Sequence, residues 1–190
     1  MNYNVHSEYA APSCSYELKT DIEKTVTLGG LTTIGSGASA KKYMLTSVEL
    51  ATSAGQAPTM SASGVEVGSD TEEGCTCDVE FVAAFLHHAQ TLFSAFELSN
   101  GKLQSANYTA SCEPTHAEAD GVRLNSDAHG FKIEASVTIG AAGSTVPTLA
   151  AGTGWAITSP LTCSNPNADY PSYTATLTKY LAGTQPSSNS

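Results

Sequence analysis

Alternation of apolar and polar residues is the dominant pattern along the chain, and it predicts β-strands. Residues 131–139 alternate without interruption, and their apolar positions are Phe131, Ile133, Ala135, Val137 and Ile139. Residues 41–50 alternate in the same way, and the face that we expect to be buried consists of Met44, Thr46, Val48 and Leu50. A period of two residues is typical of a strand with one buried and one exposed face.

Shorter stretches with the same character bring the expected number of strands to about eight by the alternation test. We predict extended segments or strands at residues 15–28, 64–67, 75–83, 102–113, 154–158 and 169–181. Composition predicts loops at residues 29–40, which are rich in glycine and serine, and at residues 114–130, which are polar. Pro171 indicates that the last strand begins at a sheet edge or at a bulge.

One segment departs from alternation and predicts a helix at about residues 85–97. Its apolar residues recur at steps of three and four positions, and they are Phe85, Leu86, Ala89, Leu92, Phe93 and Phe96. The Asn100-Gly101 pair then ends the segment with turn chemistry. The expected fold is therefore mainly β, an antiparallel β-sandwich or barrel with one flanking α-helix.

The ends of the chain lack this patterning, and they divide it into three parts. We expect an N-terminal arm at residues 1–14, a single β-rich domain at residues 15–182 and a C-terminal arm at residues 183–190. The length of 190 residues suits one large domain or two small ones.

A phrase within the predicted domain occurs twice, at residues 47–67 and 136–157. Ser47 and Val48 correspond to Ser136 and Val137, and Pro58 with Thr59 corresponds to Pro147 with Thr148, at a constant offset of 89 residues. Gly64 corresponds to Gly154 at an offset of 90 residues. The order strand, proline-marked turn, strand predicts a duplicated β unit, with halves at about residues 41–83 and 129–181. Convergence of two hairpins with similar composition is the alternative.

The net charge of the chain bears on which partners it can bind. The chain has 18 acidic and 8 basic residues, for a formal net charge of −10. An acidic surface repels phosphate backbones, so we expect no specific binding of nucleic acid. No segment has the apolar length of a membrane span.

Five cysteines, Cys14, Cys75, Cys77, Cys112 and Cys163, lie at irregular spacings. The first residues have neither the basic start nor the apolar run of a secretory signal. We therefore expect cytosolic synthesis with free thiols, with disulfides in a mature extracellular particle as the alternative.

Two groups of residues raise a metal site as a hypothesis. Cys75 and Cys77 share one face of a predicted strand, and His87 and His88 are adjacent in the predicted helix. The Cys-x-Cys spacing is shorter than in common zinc sites, and adjacent helical histidines diverge rather than converge. We predict no metal site and no cofactor.

Catalytic motifs are equally incomplete. His116 and Glu118 match only the first half of a zinc-deaminase signature, and Ser39 with Lys42 forms an isolated Ser-x-x-Lys. An acid–base set of Asp120, Asp127 and His129 is explained more simply by a solvated loop. We predict that the protein is not an enzyme and assign no catalytic residue. A hydrolase with a nonstandard site is an alternative hypothesis.

The order of elements resembles that of tailed-bacteriophage virion proteins, especially the tail-tube type. Residues 75–81, 87–96, 102–113 and 129–139 would supply strand, helix, strand and strand in sequence. The final strand matches the pattern of that family at Asn167, Asp169, Tyr170, Pro171, Thr174 and Thr176. The resemblance covers roughly residues 75–182, and the long first half departs from the smallest tail-tube proteins.

This resemblance implies a homo-oligomeric ring, stacked with others into a tube through whose lumen DNA passes. Loops and arms would contact neighbouring subunits and other virion proteins, in a virion made in the bacterial host cytoplasm. A role in the tube, the neck or the baseplate stays open. If the halves are duplicated, a trimer would imitate a six-fold ring.

A different class of function is the alternative: a bacterial carbohydrate- or surface-binding β-sandwich module. Such a module needs exposed aromatic side chains on a face or rim. The candidates are Trp155, Tyr170, Tyr173 and Tyr180, each of which could equally serve in a core or an interface.

Overall fold

The fold is built almost entirely from antiparallel strands, in keeping with the alternating sequence. A computed structural model describes residues 13–17, 23–37, 40–69, 71–72, 74–82, 92–119, 122–141, 145–164 and 171–185. Within these residues the strands are β1 Ser13–Glu17, β2 Glu23–Leu28, β3 Leu31–Ile34, β4 Lys41–Ser53, β5 Thr59–Val67, β6 Cys77–Val82, β7 Phe96–Ser99, β8 Gly101–Ala119, β9 Val122–Ala141, β10 Thr148–Ala151, β11 Ala156–Cys163 and β12 Ser172–Tyr180.

One large sheet organises the molecule. Its strands follow the order β1-β5-β4-β8-β9-β12-β11, and β3 joins it by pairing with the first part of β4. All of these pairings are antiparallel. Neighbouring strands therefore place directly opposed side chains on the same face of the sheet.

The inner face of this sheet carries the core, as the alternation predicts. All five apolar positions of residues 131–139 are buried, and so are Met44, Val48 and Leu50 of β4. Thr46 is only half-buried, because the register between β4 and β5 shifts between Leu45 and Ser47. The bulge interrupts the alternation of β4 at that point.

Two small sheets form a second layer over this core. β2 pairs with β6, and β7 pairs with β10. Phe81 from β6 meets Phe93 edge to face, with ring centroids 5.5 Å apart, and Phe93 lies 5.7 Å from the ring of Tyr108 on β8. These aromatic contacts join the two layers into a β-sandwich-like fold.

A glycine corner lets the chain pass from the second layer into the large sheet. Gly29, with φ 76°, and Gly30 separate β2 from β3. The Gly29 N–H donates to the carbonyl of Leu45 at 2.9 Å, and the Leu45 N–H donates to the carbonyl of Gly30 at 3.0 Å. A side chain at Gly29 would collide with the carbonyl oxygen of Cys75. Glycine is thus required here by conformation and by space.

The predicted helix at residues 85–97 is wrong in its described part. Leu92–Ser94 forms one 3₁₀ turn, and Phe96–Ser99 is strand β7. Phe93 and Ser94 have φ values of 57° and 48°, a left-handed conformation in which an α-helix cannot continue. Leu92 and Phe96 still reach the core, one from a turn and one from a strand. Residues 85–91 lie outside the described residues.

Two predicted loops contain strands. Residues 29–40 include β3, which pairs with β4. Residues 114–119 and 122–130 form the far ends of β8 and β9, which pair with each other from Glu113 and His129 to Ala119 and Val122. Both segments lack a run of alternating large apolar residues, and the described buried positions of β9 within this β8–β9 ribbon are the small residues Ser126 and Ala128. Hydrophobic alternation therefore did not predict the ribbon.

The predicted arms are partly tied to the domain. Ser13 and Cys14 belong to β1, which pairs with β5. Near the other end, Thr184 forms a two-way backbone bridge with Thr76, with N–O distances of 2.6 and 3.0 Å. Residues 1–12 and 186–190 lie outside the described residues.

Candidate functional site

The cysteines suspected of binding metal lie at the junction of the two layers. Cys77 is buried on β6, while Cys75 is half-buried and its sulfur accepts a hydrogen bond from Gln185 at 3.5 Å. Burial, followed by the charges of Asp78 and Cys75, raises the pKa of Cys77. Within the described part of the chain, no group of three or more His, Cys, Asp or Glu residues is placed to hold a metal ion. His87 and His88 lie outside that part.

A third thiol, Cys112, lies near these two. Burial raises its pKa to about 11, against a lowering by the Gly29 N–H and with a smaller rise from Cys77. Its S–H donates to the carbonyl of Leu45 at 3.6 Å. Cys75, Cys77, Cys112 and Cys163 are free thiols. Raised pKa values keep Cys77 and Cys112 protonated at neutral pH, so they are poor nucleophiles.

The candidate acid–base residues that the structure describes, Asp127 and His129, contact different partners along the β8–β9 ribbon. One carboxylate oxygen of Asp127 accepts the backbone N–H of Cys75 at 2.7 Å and that of Ala128 at 2.8 Å. Nε2 of His129 lies 3.5 Å from Oε2 of Glu113, and both side chains are exposed. Nδ1 of His116 lies 2.7 Å from Oγ of the buried Ser126. Asp127 therefore anchors the base of the ribbon and is not brought together with a catalytic partner.

The structure describes only some of the remaining catalytic candidates. Asp120 and Ser39 lie outside the described residues, and so does the side chain of Glu118. Lys42 donates to the backbone carbonyl of Thr71 at 2.7 Å, which places its ammonium group against a loop.

The aromatic candidates for a binding rim have mixed environments. Trp155 is buried, and its Nε1–H donates to the carbonyl of Phe93 at 3.2 Å. Tyr173 is half-buried beside Cys163, whereas Tyr180 is 77% exposed. Tyr170 lies outside the described residues. Trp155 is therefore a core residue and does not belong to a rim of stacked rings.

The outer face of the large sheet is covered by short polar side chains, which the sequence patterns did not bring out as a site. Strand register places these residues on one face, together with the longer side chains of Glu49, Lys132, Glu134 and Tyr180. Across β4, β8, β9 and β12 the short side chains are Ser47, Ala51, Ser53, Ser105, Asn107, Thr109, Ser111, Ser136, Thr138, Thr174, Thr176 and Thr178. The sequence did contain a signal for this face: in each alternating strand, serine and threonine recur at the polar positions between the apolar ones.

A groove of about 390 Å³ lies in this outer face. Its lining is uncharged, and it consists of Ala51, Thr52, Ser53, Gln56, Ala57, Thr59, Ser105, Ala106, Asn107, Ser136, Val137 and Thr138. The β4–β5 turn forms one wall, and small side chains leave the floor open. A groove of this volume is within the range of small-molecule sites, roughly 300–1,000 Å³.

A carboxamide–carboxylate pair borders the groove. Asn107 donates from Nδ2 to Oε1 of Glu49 at 2.7 Å, which sets the orientation of the amide. The opposite atom, Oδ1 of Asn107, is buried and has no hydrogen-bond partner among the described residues. A buried acceptor without a donor is unfavourable, so this amide lies beside the groove with one hydrogen bond unmet.

The ends of the large sheet are a second surface with functional potential. Within the described residues, β1 pairs only with β5 and β11 pairs only with β12, so each leaves an outward edge. Most of β11 is exposed, and Ile157 is 41% exposed. Register shifts on either side of Ser159, together with Pro160, interrupt this edge. Such features limit promiscuous strand pairing.

Comparison with known proteins adds no relative to these observations. The chain matches no protein-family model, no curated protein and no solved structure. In the described part of the chain, no helix has the length and apolarity needed to cross a bilayer.

Proposed function

We propose that this chain is a structural protein of a tailed-bacteriophage virion, which assembles into stacked rings of a tail tube or a related tail or neck component. The observation that carries the proposal is the large antiparallel sheet, in which β1 and β11 each leave an outward edge that no other described strand pairs with. The resemblance in the order of sequence elements supplies the class of particle.

Sheet edges are natural contacts between subunits. An unpaired strand presents a row of N–H and C=O groups that another strand can pair with. Joining β11 of one subunit to β1 of the next would continue the eight-stranded sheet around a ring. Pro160 and the two register shifts confine regular pairing on β11 to short stretches, such as that at Ala156 and Ile157. A short, interrupted edge favours one matched partner over indiscriminate aggregation.

The charge of the chain suits a conduit for DNA. A net charge of −10 opposes binding of the phosphate backbone. On the outer face of the sheet, Lys132 is held by Glu134 at 2.7 Å, which offsets its positive charge. Surfaces of this kind let DNA pass without adhering. The proposal thus involves other copies of the chain and other virion proteins as partners, a place in the virion, and no catalytic role.

The experiment is to measure the assembly state of the purified full-length chain by light scattering and negative-stain electron microscopy over a wide concentration range. We expect rings or tubes, and their symmetry gives the subunit number. In the variant Ile157→Lys, a charge on the β11 edge should leave monomers. The matched control is Val146→Lys, because Val146 is also an exposed apolar residue, at 58%, but lies outside β11.

Two results would contradict the proposal in different ways. A wild-type chain that stays monomeric at high concentration removes the assembly function. Rings that form equally well with Ile157→Lys leave assembly in place but remove the β11 edge as the contact.

A further inference from the structure

The groove on the outer face has a regular origin in the strand register. Ala51, Asn107 and Ser136 face one another in one row across β4, β8 and β9. Ser53, Ser105 and Thr138 form the adjacent row. Strands lie about 4.8 Å apart and rows about 6.6 Å apart, so the floor is a small grid of polar groups.

Short side chains keep this grid open. Farther along the same face the longer side chains Glu49, Lys132 and Glu134 fill the surface. At the other end the β4–β5 turn, with Gly55 at φ 76°, carries Gln56 and Ala57 to the side of the groove. The groove is therefore bounded at both ends.

The lining chemistry excludes several classes of ligand. It contains no lysine, arginine, aspartate or glutamate, and the carboxylate at its border, Glu49, already accepts a hydrogen bond from Asn107, so neither an anion nor a cation is favoured. A peptide strand would find no edge to pair with, because β4, β8 and β9 already pair on both sides here. A wholly apolar ligand would bury hydroxyl and amide groups without partners, which is unfavourable.

A neutral ligand with many hydroxyl groups remains, since each hydroxyl both donates and accepts a hydrogen bond. Serine and threonine hydroxyls and the Gln56 amide can serve such a ligand from the floor and the wall. Oδ1 of Asn107 has no donor among the described residues but is itself buried, so a ligand hydroxyl would gain this acceptor by drawing the amide toward the groove. Ser136 lies directly opposite Asn107 in the register and is exposed.

We propose that this groove binds one or two units of an uncharged carbohydrate, with Asn107, Ser105 and Ser136 as the principal contacts. This binding function goes beyond assembly and does not depend on it. The lining contains no aromatic ring on which a sugar could stack, so the affinity is modest, with a Kd of about 1–10 mM.

The test is a nuclear magnetic resonance titration of the ¹⁵N-labelled full-length chain. The probes are maltose, cellobiose and N,N′-diacetylchitobiose, each raised to several times the expected Kd, and an uncharged tetrapeptide as a competing class. We expect saturable shifts with at least one disaccharide at the backbone amides of Ser105 and Ser136 and at the side-chain amide of Asn107.

Variants locate the site. Asn107→Leu should weaken binding by about tenfold or more, because it removes the amide from the groove. Ser136→Val, which fills the floor and suits a strand, serves as a second variant if the first fails to fold. The control Ser111→Ala lies on the same face of β8 outside the groove, and it should bind like the wild-type chain.

Each alternative outcome overturns the proposal. Absence of saturable shifts with all three disaccharides removes the carbohydrate. Shifts that map away from the groove, or that survive in both Asn107→Leu and Ser136→Val, remove the site. Binding of the tetrapeptide alone assigns the groove to a different class of ligand. A monomeric but sugar-binding chain would contradict assembly while leaving this inference intact.

Discussion

Residues 47–67 and residues 136–157 share a sequence phrase but use it in different pairings. In the first, β4 and β5 form a hairpin that pairs from Lys42 with Val67 to Ala51 with Thr59. In the second, β10 leaves the sheet of β9 and pairs with β7, matching Thr148 with Ser99. Pro58 and Pro147 are both fully buried. Similar residues thus mark similar bends, but the bends lead to different partners.

The reason lies in which edges are already occupied. β9 is paired with β8 on one side and with β12 on the other, as far as Gly140. The chain that follows β9 therefore has no free edge of that strand to return to. β4, by contrast, leaves an edge for β5 along most of its length. The comparison teaches that local similarity does not decide strand pairing, and whether the halves arose by duplication stays a prediction.

The largest expected effects concern core residues that correspond in the two regions. Leu50 and Ile139 are separated by the same offset as the shared phrase, and both are almost fully buried. Leu50→Ala and Ile139→Ala should each lower the free energy of unfolding by about 3 kcal/mol, because each leaves a cavity. Denaturant unfolding followed by circular dichroism measures this. A loss at one site less than half that at the other would show that the two positions are not equivalent in the core.

Substitutions at the corresponding glycines, Gly64 and Gly154, should lower stability for different reasons in the two regions. A Cβ at Gly64 would lie 2.6 Å from the carbonyl oxygen of Met44, whereas Gly154 has φ 78° and space beside Lys179. Gly64→Ala should cost about 2 kcal/mol through overpacking, and Gly154→Ala about 1 kcal/mol through a left-handed backbone.

Substitution by asparagine distinguishes these two causes. Because asparagine tolerates the left-handed region, Gly154→Asn should be milder than Gly154→Ala, and Gly64→Asn should be worse than Gly64→Ala. The same ranking of Ala and Asn at both glycines would refute the assignment of two different causes.

A smaller effect should appear as pH dependence near the first region, where the Cys112 thiol contacts Leu45. Burial raises the pKa of Cys112 to about 11. In the unfolded chain this thiol ionises near its ordinary pKa of about 8.5, so the unfolded state loses the proton first. Stability is therefore full below about pH 8.5 and falls as the pH rises toward 11.

Thermal unfolding between pH 7 and pH 10 tests this sign. Cys112→Ala should flatten the decline in Tm at alkaline pH. Val48→Ala is the control, because it should lower the whole curve without changing its slope. An unchanged slope in Cys112→Ala would assign the alkaline decline to other groups, such as Cys77, whose pKa is also raised by burial.

Several features could be read from the sequence because they depend on neighbours along the chain. Alternation identified strands β4, β9 and β12 and the inward face of residues 131–139, since a strand between core and solvent must alternate. Helical spacing at Leu92, Phe93 and Phe96 misled, because a turn followed by a strand can bury the same positions.

The sequence by itself determined a mainly β chain, the apolar face of its longest strands and an acidic surface. Only the tertiary structure decided that β10 pairs with β7, that polar residues 114–119 and 122–130 form a ribbon, and that Asn107 and Ser136 share a groove. Pairing joins strands distant in sequence, and it depends on which edges remain free and on how register aligns small side chains. That information is carried by no single segment, so local patterns could not reveal it.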